Sequence, residues 1–480
     1  MKVLVIFTLV ALAMGAWARQ DDPEATKKIV AAVNLYRAGN PAGATKAFES
    51  LYQSNPQNPD ILSWLGFLYL SQDRSKEAVP LLEKAASERP RDLEILTNLG
   101  NAYLKQGEED KSLAEYKQVA QLNPKMFEAW YNIGNIYLHR KNYPQAIDAY
   151  NQAILRGGDN AYIYNNMGVA YDNSHNYDLA ATYFQKASNL KPDNKTFSRN
   201  AGLALLRARK TDAAISYLKR SYNLDSTDAD VALALGDSYS KVGRRTEALT
   251  LYESLKDSMA ENGTLWYNLG VLRAQKGDDD GALTAYQRAT DLMPSDLDTL
   301  NNLGLLQYKK GRYEDARTTF DRLRGLNPNS RDTLRNLAAS DVKLGDYNAA
   351  ISIWKEILRS DPNRVKVRID LANAEWIAGD FEGAKTEYLT VLSADKTNAD
   401  ALNGIGLYNL KNSNLGEAEQ DFRAAIQASA SFAPAYNNLA ITLERENKRA
   451  QAIKLLERAV QIDPNNKDAR ANLNRMKAAG

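Results

Sequence analysis

The sequence predicts an all-α solenoid, a one-dimensional stack of helix pairs, and three observations carry that prediction. An Asn-Leu-Gly tripeptide or a close variant recurs at Asn98–Gly100, Asn132–Gly134, Asn166–Gly168, Asn268–Gly270 and Asn302–Gly304, its glycines 34 residues or a multiple of 34 apart. Small and large residues keep fixed places within that period. Glycine and proline punctuate it where helices must end. A period of 20 to 50 residues marks repeats that cannot bury a core alone and must stack on their neighbours.

The chain elements follow in order. Met1 and Lys2 precede an apolar run from Val3 to Gly15 and the triplet Ala16-Trp17-Ala18. That is the layout of a secretory signal peptide, expected to span residues 1–18 with cleavage after Ala18. The run is shorter than the roughly 20 residues that cross a bilayer, so an uncleaved N-terminal anchor is the weaker alternative. Export of a chain without cysteine suits the bacterial periplasm or cell surface. Residues 19–24 form a short linker.

From residue 25 the repeats run to residue 466 without insertion or deletion, since 13 × 34 = 442 = 466 − 25 + 1. The units therefore occupy 25–58, 59–92, 93–126, 127–160, 161–194, 195–228, 229–262, 263–296, 297–330, 331–364, 365–398, 399–432 and 433–466. Repeat position 8 is always small, as in Ala32, Gly66, Gly100, Gly134, Ala338 and Ala440, and position 20 is alanine or serine. Position 24 is always large, as in Phe48, Leu82, Tyr116, Trp354 and Leu456. Small residues at 8 and 20 let two antiparallel helices approach, while the large residue at 24 is expected to fill the space between neighbouring pairs. Glycine recurs at position 15 and proline at position 32. Where position 32 is Gly158, Ser226, Ala260, Lys396 or Ala430, the link is expected to differ, with Gly157-Gly158 as a soft joint. Residues 467–480 read as a capping helix whose Leu473 and Met476 cover the open end.

This pattern resembles the tetratricopeptide repeat family over 442 of the 480 residues. The resemblance implies a right-handed superhelix of thirteen helix-turn-helix units whose first helices line a concave groove. Helical geometry alone puts positions 2, 6, 9 and 13 on the face of the first helix opposite its packed side. The candidate ligand groove is therefore Asn98, Asn101, Lys105, Asn132, Asn135, His139, Asn166, Asn200, Arg207, Lys241, Asn268, Asn302, Lys309, Asn336, Lys343 and Asn438. A row of side-chain amides could grip an extended peptide backbone through its donors and acceptors. The alternative is that these amides satisfy neighbouring helices or face water. Bases at position 13 and acids at position 2 suit the two ends of the helix dipole, and that explanation is preferred to charged rails for a ligand. The family's carboxylate clamp is not present in three successive repeats: Asn101 and Asn132 fit it, but Thr97, Tyr162 and Asn166 do not.

Composition excludes much chemistry. With no cysteine and only His139 and His175, thiolate catalysis and cysteine metal sites are excluded, and any histidine triad or metal site would have to use one of those two. A net charge of +2 points to no nucleic acid or anionic membrane. No phosphate-binding loop or dinucleotide fingerprint is present, and no cofactor or metal is expected. Asn194-Lys195-Thr196 and Asn262-Gly263-Thr264 match glycosylation acceptors, relevant only where the source glycosylates. The expected protein is a non-enzymatic scaffold that binds proteins or peptides, without a transmembrane span once the signal is removed. Self-association, or organisation of envelope polymers, is the alternative role.

Overall fold

The computed structural model describes residues 23–478; the expected signal peptide lies outside them. Among the described residues there are twenty-seven α-helices and no strand. In twelve of the thirteen repeats the first helix begins at position 1, as in Leu93–Lys105 and Arg331–Leu344; in the first it begins two residues earlier, at Pro23. Every second helix begins at position 17, as in Glu109–Leu122 and Tyr347–Ser360. The chain divides into two compact units, residues 1–251 and 252–480, so the single array expected from the period is resolved into two bodies of stacked helix pairs. The boundary falls inside the helix Arg245–Leu255, at 11 residues the shortest of the set.

Local chemistry sets these boundaries. Position 34 supplies the N-cap of the following first helix. Asn58, Asp92, Asn160, Asn194, Asp228, Asn262, Asp296, Ser330 and Asn398 each accept a hydrogen bond from a backbone N–H of the next turn. The two glycosylation-type asparagines, Asn194 and Asn262, are thus helix caps. At position 15 the backbone enters the left-handed region in every repeat: seven times at glycine, and otherwise at Asp73, Lys141, His175, Arg209, Ser413 and Asn447. The turn geometry is compulsory even where glycine is missing.

The core replaces one expectation. Position 24 packs over position 8 of its own repeat, filling the gap that the missing side chain leaves inside the hairpin. A Cβ at Gly66 would lie 2.6 Å from Leu82, at Gly134 2.5 Å from Tyr150, at Gly270 2.6 Å from Tyr286 and at Gly304 2.7 Å from Phe320. The helices touch so closely at position 20 that the Ser112 hydroxyl donates to the Gly100 carbonyl at 2.8 Å. The core joins aliphatic and aromatic side chains: Leu62, Leu65 and Leu68 cluster with Leu81 and Ala85 of their own repeat and Ile95 of the next, and Tyr36 and Phe48 of the first repeat pack on Trp64 of the second at centroid distances of 5.9 and 5.7 Å. Each such leucine contributes about 1.5 to 3 kcal/mol through burial.

The five links without proline are held by other means. At Ser226 and Lys396 the preceding aspartates, Asp225 and Asp395, accept from the backbone N–H of Thr227 and Thr397 at 3.0 Å and from their hydroxyls as well. At Ala260 and Ala430 the carbonyl accepts from the Trp266 indole at 2.9 Å and the Tyr436 hydroxyl at 3.1 Å. Gly157-Gly158, expected to be a soft joint, is closely packed at its second residue. Gly158 is buried, its N–H bonds to the Ala153 carbonyl, and a Cβ there would strike Ala153, Ile163 and Phe127. At the C-terminus Met476 is 1% exposed and Leu473 packs beside it, capping the last repeat as expected.

Candidate functional site

The outward face of the first helices holds the sixteen candidate residues, and within residues 1–251 much of the asparagine row is turned inward. Asn98, Asn101, Asn132 and Asn135 are buried, Asn132 and Asn135 to 2% exposure. Asn101 accepts from the Tyr116 hydroxyl at 2.6 Å, and Asn135 from the Tyr150 hydroxyl at 2.8 Å. Asn135 accepts a second bond, from Asn166 Nδ2 at 2.9 Å. This fixes its amide orientation and leaves its own Nδ2 without a partner, as Asn132 Oδ1 is too. The expectation that this face lies open is corrected here: a tyrosine at position 24 needs an acceptor, and burial makes that bond worth keeping.

Position 6 asparagines reach one repeat back. Asn166 also lies 3.4 Å from the Tyr131 hydroxyl, and Asn200 donates to Asn165 Oδ1 at 2.9 Å. In residues 252–480, Asn268 donates to the Tyr252 hydroxyl at 3.1 Å, Asn302 lies 3.4 Å from that of Tyr267, and Asn438 donates to Asn403 Oδ1 at 2.9 Å. The capping helix continues the device, with Asn472 donating to Asn437 Oδ1 at 2.9 Å. The partners at position 5, among them Tyr131, Asn165, Asn403 and Asn437, lie outside the candidate groove residues. Their signal was a polar residue at position 5 one repeat before an asparagine at position 6. Asn336 is half-buried.

The charged candidates are also linked between repeats. Lys105 meets Asp73 at 2.7 Å and the Leu70 carbonyl at 3.1 Å, His139 meets Glu109 at 2.5 Å, Arg207 pairs with Asp172, and Lys309 meets Asp279 at 2.8 Å. These position 13 residues therefore tie each hairpin to acids around the turn of the preceding repeat rather than to the position 2 acids, although each exposed pair is worth at most about 1 kcal/mol. Lys241 and Lys343 are exposed, and no ion pair joins either to another described residue. At position 2, Asp60 takes a two-pronged bond from Arg89 at 2.7 and 3.0 Å. Burial and the neighbouring Asp92 push the Glu94 carboxyl up to about 7.

Position 11 marks a chemical difference between the two bodies. In residues 1–251 it carries Tyr69 and Tyr103, whose hydroxyls donate to Glu49 at 3.0 Å and Glu83 at 2.6 Å. In residues 252–480 the same position is Arg273, Gln307, Asp341, Glu375, Asn409 and Leu443. Asp341 is 1% exposed beside Arg317 at 3.1 Å, and Glu375 is 2% exposed beside Lys355 at 2.8 Å. Burial outweighs these partners and raises both carboxyls, Asp341 to about 6.

No group of three or more histidine, cysteine or carboxylate side chains among the described residues is placed to hold a metal ion. No helix of the described residues is long and apolar enough to cross a membrane. What the structure offers is a succession of helix hairpins with an outward side-chain row: the architecture of a repeat scaffold for protein contacts.

Comparison with known proteins agrees with that class. A tetratricopeptide repeat profile matches residues 97–161, 165–229, 301–365, 335–389 and 369–434, more than half of the chain. Related tetratricopeptide repeat profiles match 35–79, 70–119, 231–263 and 433–466, and a further repeat profile matches 270–311. The chain belongs to the tetratricopeptide repeat family. No curated protein sequence matches it significantly. Among solved structures, a chain of the APC/C hetero-tetramer Cut9-Hcn1 is similar at 13% identity and a TM-score of 0.35, over 94% of this chain and 96% of that one. A tetratricopeptide repeat protein from Parabacteroides merdae is similar at 17% identity and 0.38, over 52% and 98%. MamA from Desulfovibrio magneticus RS-1 is similar at 22% identity and 0.33, over 36% and 97%.

Proposed function

We propose that the protein is a non-enzymatic scaffold that binds polypeptide segments along the outward face of its first helices, and that it works in the bacterial cell envelope. The observation that carries the binding reading is the repetition itself: one face recurs at every hairpin, and repeats of this kind stack into an extended surface. An extended or helical segment can then be held by many weak contacts in register with the repeats. Lys241 and Lys343, exposed and outside any ion pair among the described residues, are the position 13 bases left for a partner. The buried Asn135 joins its own hairpin, through Tyr150, to the next one, through Asn166.

A tiled peptide array probed with the labelled full chain tests the reading. Retention of discrete peptides that isolated envelope polysaccharide does not displace is the expected result. Retention of no peptide, or displacement of all of them by polysaccharide, refutes it. The envelope location rests on the Lys2, Val3–Gly15 and Ala16-Trp17-Ala18 pattern. N-terminal sequencing of the protein from its native source should give Arg19 first; a retained Met1 counts against cleavage.

A further inference from the structure

We propose that the tenth hairpin, residues 331–364, is a proton-operated joint: Asp341, facing the ninth hairpin, and Glu375, reaching back from the eleventh, hold its two interfaces closed when protonated and loosen them when ionised. Such a joint works whatever segment the scaffold binds. It makes the face of repeats nine to eleven stiff in acid and pliable at neutral pH.

The geometry comes first. Asp341 and Glu375 occupy position 11 of consecutive first helices, and both are buried. Asp341 Oδ1 lies 3.1 Å from Arg317 Nε of the ninth hairpin but accepts no hydrogen bond. Glu375 Oε1 meets Lys355 Nζ of the tenth hairpin at 2.8 Å, while its Oε2 accepts no hydrogen bond. Leu334, Leu337, Ile353, Leu371 and Ala374 pack together in the same core. In the second and third repeats this position is Tyr69 and Tyr103, whose neutral hydroxyls donate across the equivalent interface to Glu49 and Glu83. The tenth hairpin is therefore joined on both sides through a carboxyl that has one cation and one unmet oxygen. Ionised, such a group is costly to bury; neutral, it costs far less.

The surrounding charges favour the proton. Facing Asp341 are Arg317, Asp321 and Glu314 of the helix Tyr313–Leu326 and Asp346 at the cap of Tyr347–Ser360, and Arg317 is shared with Asp346 at 3.4 Å. Facing Glu375 are Lys355 of Tyr347–Ser360, Asp380 at the cap of Phe381–Ala394 and Glu387 within it; Glu387 is itself paired with Arg368. The bases of the neighbouring first helices are engaged elsewhere, Lys309 with Asp279 at 2.8 Å and Lys411 over the Phe381 ring at 3.9 Å. Asp298 and Asp400 stand at position 2 of those helices, about 13 Å along the axis from position 11. Lys343, two residues beyond Asp341, is exposed and points to the other side of its helix. Burial leads and the nearby acids add to it, so both carboxyls hold protons above the ordinary range, Asp341 up to about 6. The closed joint binds the proton more tightly than the open one. The contribution of Asp341 to closure therefore falls as pH rises from about 4 to about 6 and is level above that.

The test is amide hydrogen exchange of the full chain at pH 5 and pH 7.5, with labelling times scaled to the intrinsic exchange rate. The helices Arg331–Leu344 and Tyr347–Ser360 are expected to open about tenfold more at pH 7.5. Gly263–Lys276, a helix of the same body that carries no carboxylate, should change little. Asp341→Asn with Glu375→Gln keeps the side-chain shapes and removes the titration, so this variant should be as protected at pH 7.5 as the unmodified chain is at pH 5. Arg317→Gln, at a side chain 37% exposed, removes a counter-charge and should move the transition to higher pH. Glu94→Gln, at a raised carboxyl in the other body, is the control that should leave the response of residues 331–364 intact. The proposal is overturned if those residues are equally protected at both pH values, or if Gly263–Lys276 responds to the same extent. It is also overturned if the response survives in the double amide variant, or if Arg317→Gln leaves the transition in place.

Discussion

Tyr150 and Asn135 show how one side chain dictates another in this fold. The tyrosine fills the space over Gly134, which buries its hydroxyl and raises its pKa well above the usual value. An acceptor must then stand on the first helix, and position 9 provides it. Asn135→Leu should cost about 1 to 3 kcal/mol by leaving that hydroxyl unmet, while adding Tyr150→Phe should recover part of the loss. A thermal denaturation double-mutant cycle measures it, and strict additivity would reject the coupling. This link was legible in the sequence. Asparagine occurs at position 9 only in the repeats with Tyr116, Tyr150 and Tyr388 at position 24, and never beside phenylalanine, leucine or tryptophan there. Helical geometry alone makes the row look like a ligand ladder, because it gives the direction of a side chain and not the height of its neighbours. Two glycines sharpen the same lesson. Gly134→Ala should destabilise by about 1 to 3 kcal/mol because the new methyl meets the Tyr150 ring. Gly325→Ala, in the helix Tyr313–Leu326 with nothing within 4 Å of a Cβ, should stabilise by about 0.5 to 1 kcal/mol. Calorimetry on the pair separates close approach from mere helix content.

Elements are fixed by their ends and by what they bury. The turn at position 15 takes positive φ whether or not glycine is present, so Arg209 at φ 59° carries strain that Gly39 or Gly107 does not. Arg209→Gly should therefore raise stability by up to about 1 kcal/mol, read as a higher denaturation midpoint; a fall would show that the arginine makes a compensating contact. Glycine recurrence made the turn readable, but the six repeats without it needed the backbone. Helix packing is less uniform. The helix Arg331–Leu344 buries Asp341 among Arg317, Asp346, Asp321 and Glu314, where the first helices of residues 1–251 place tyrosine or leucine. Its folded pKa, about 6, lies above the ordinary 3.8. The native state therefore holds the proton more tightly, and this group's contribution to stability falls as pH rises from about 4 to about 6 and is constant above that. Asp341→Asn should remove that slope and gain on the order of 1 to 3 kcal/mol at pH 7. Urea unfolding at pH 5 and pH 7 decides it: an unchanged pH slope in the variant assigns the dependence to other carboxyls.

At the scale of the molecule, stability is a sum of hairpins and the interfaces between successive ones, and it need not be lost all at once. The period announced this from the sequence, since a 34-residue unit buries too little by itself. What it could not announce was the division at residues 251 and 252, because the repeat phase runs through that point unbroken while the second helix there is short. Nearest-neighbour energetics makes damage local. The capping helix Lys467–Ala478 seals the last hairpin with Ala469 and Met476 against Leu456 and Ala459, and a bond from Arg449 to the Met476 carbonyl holds it down. Met476→Asp places a charge at a site 1% exposed, which the cap cannot keep closed. Amide hydrogen exchange should then accelerate in Ala433–Arg445 and Arg449–Ile462 while Leu93–Lys105, many interfaces away, keeps its protection. Loss of protection throughout residues 252–480 would mean that this body unfolds as one cooperative unit. The additive picture of its hairpins would then have to be abandoned.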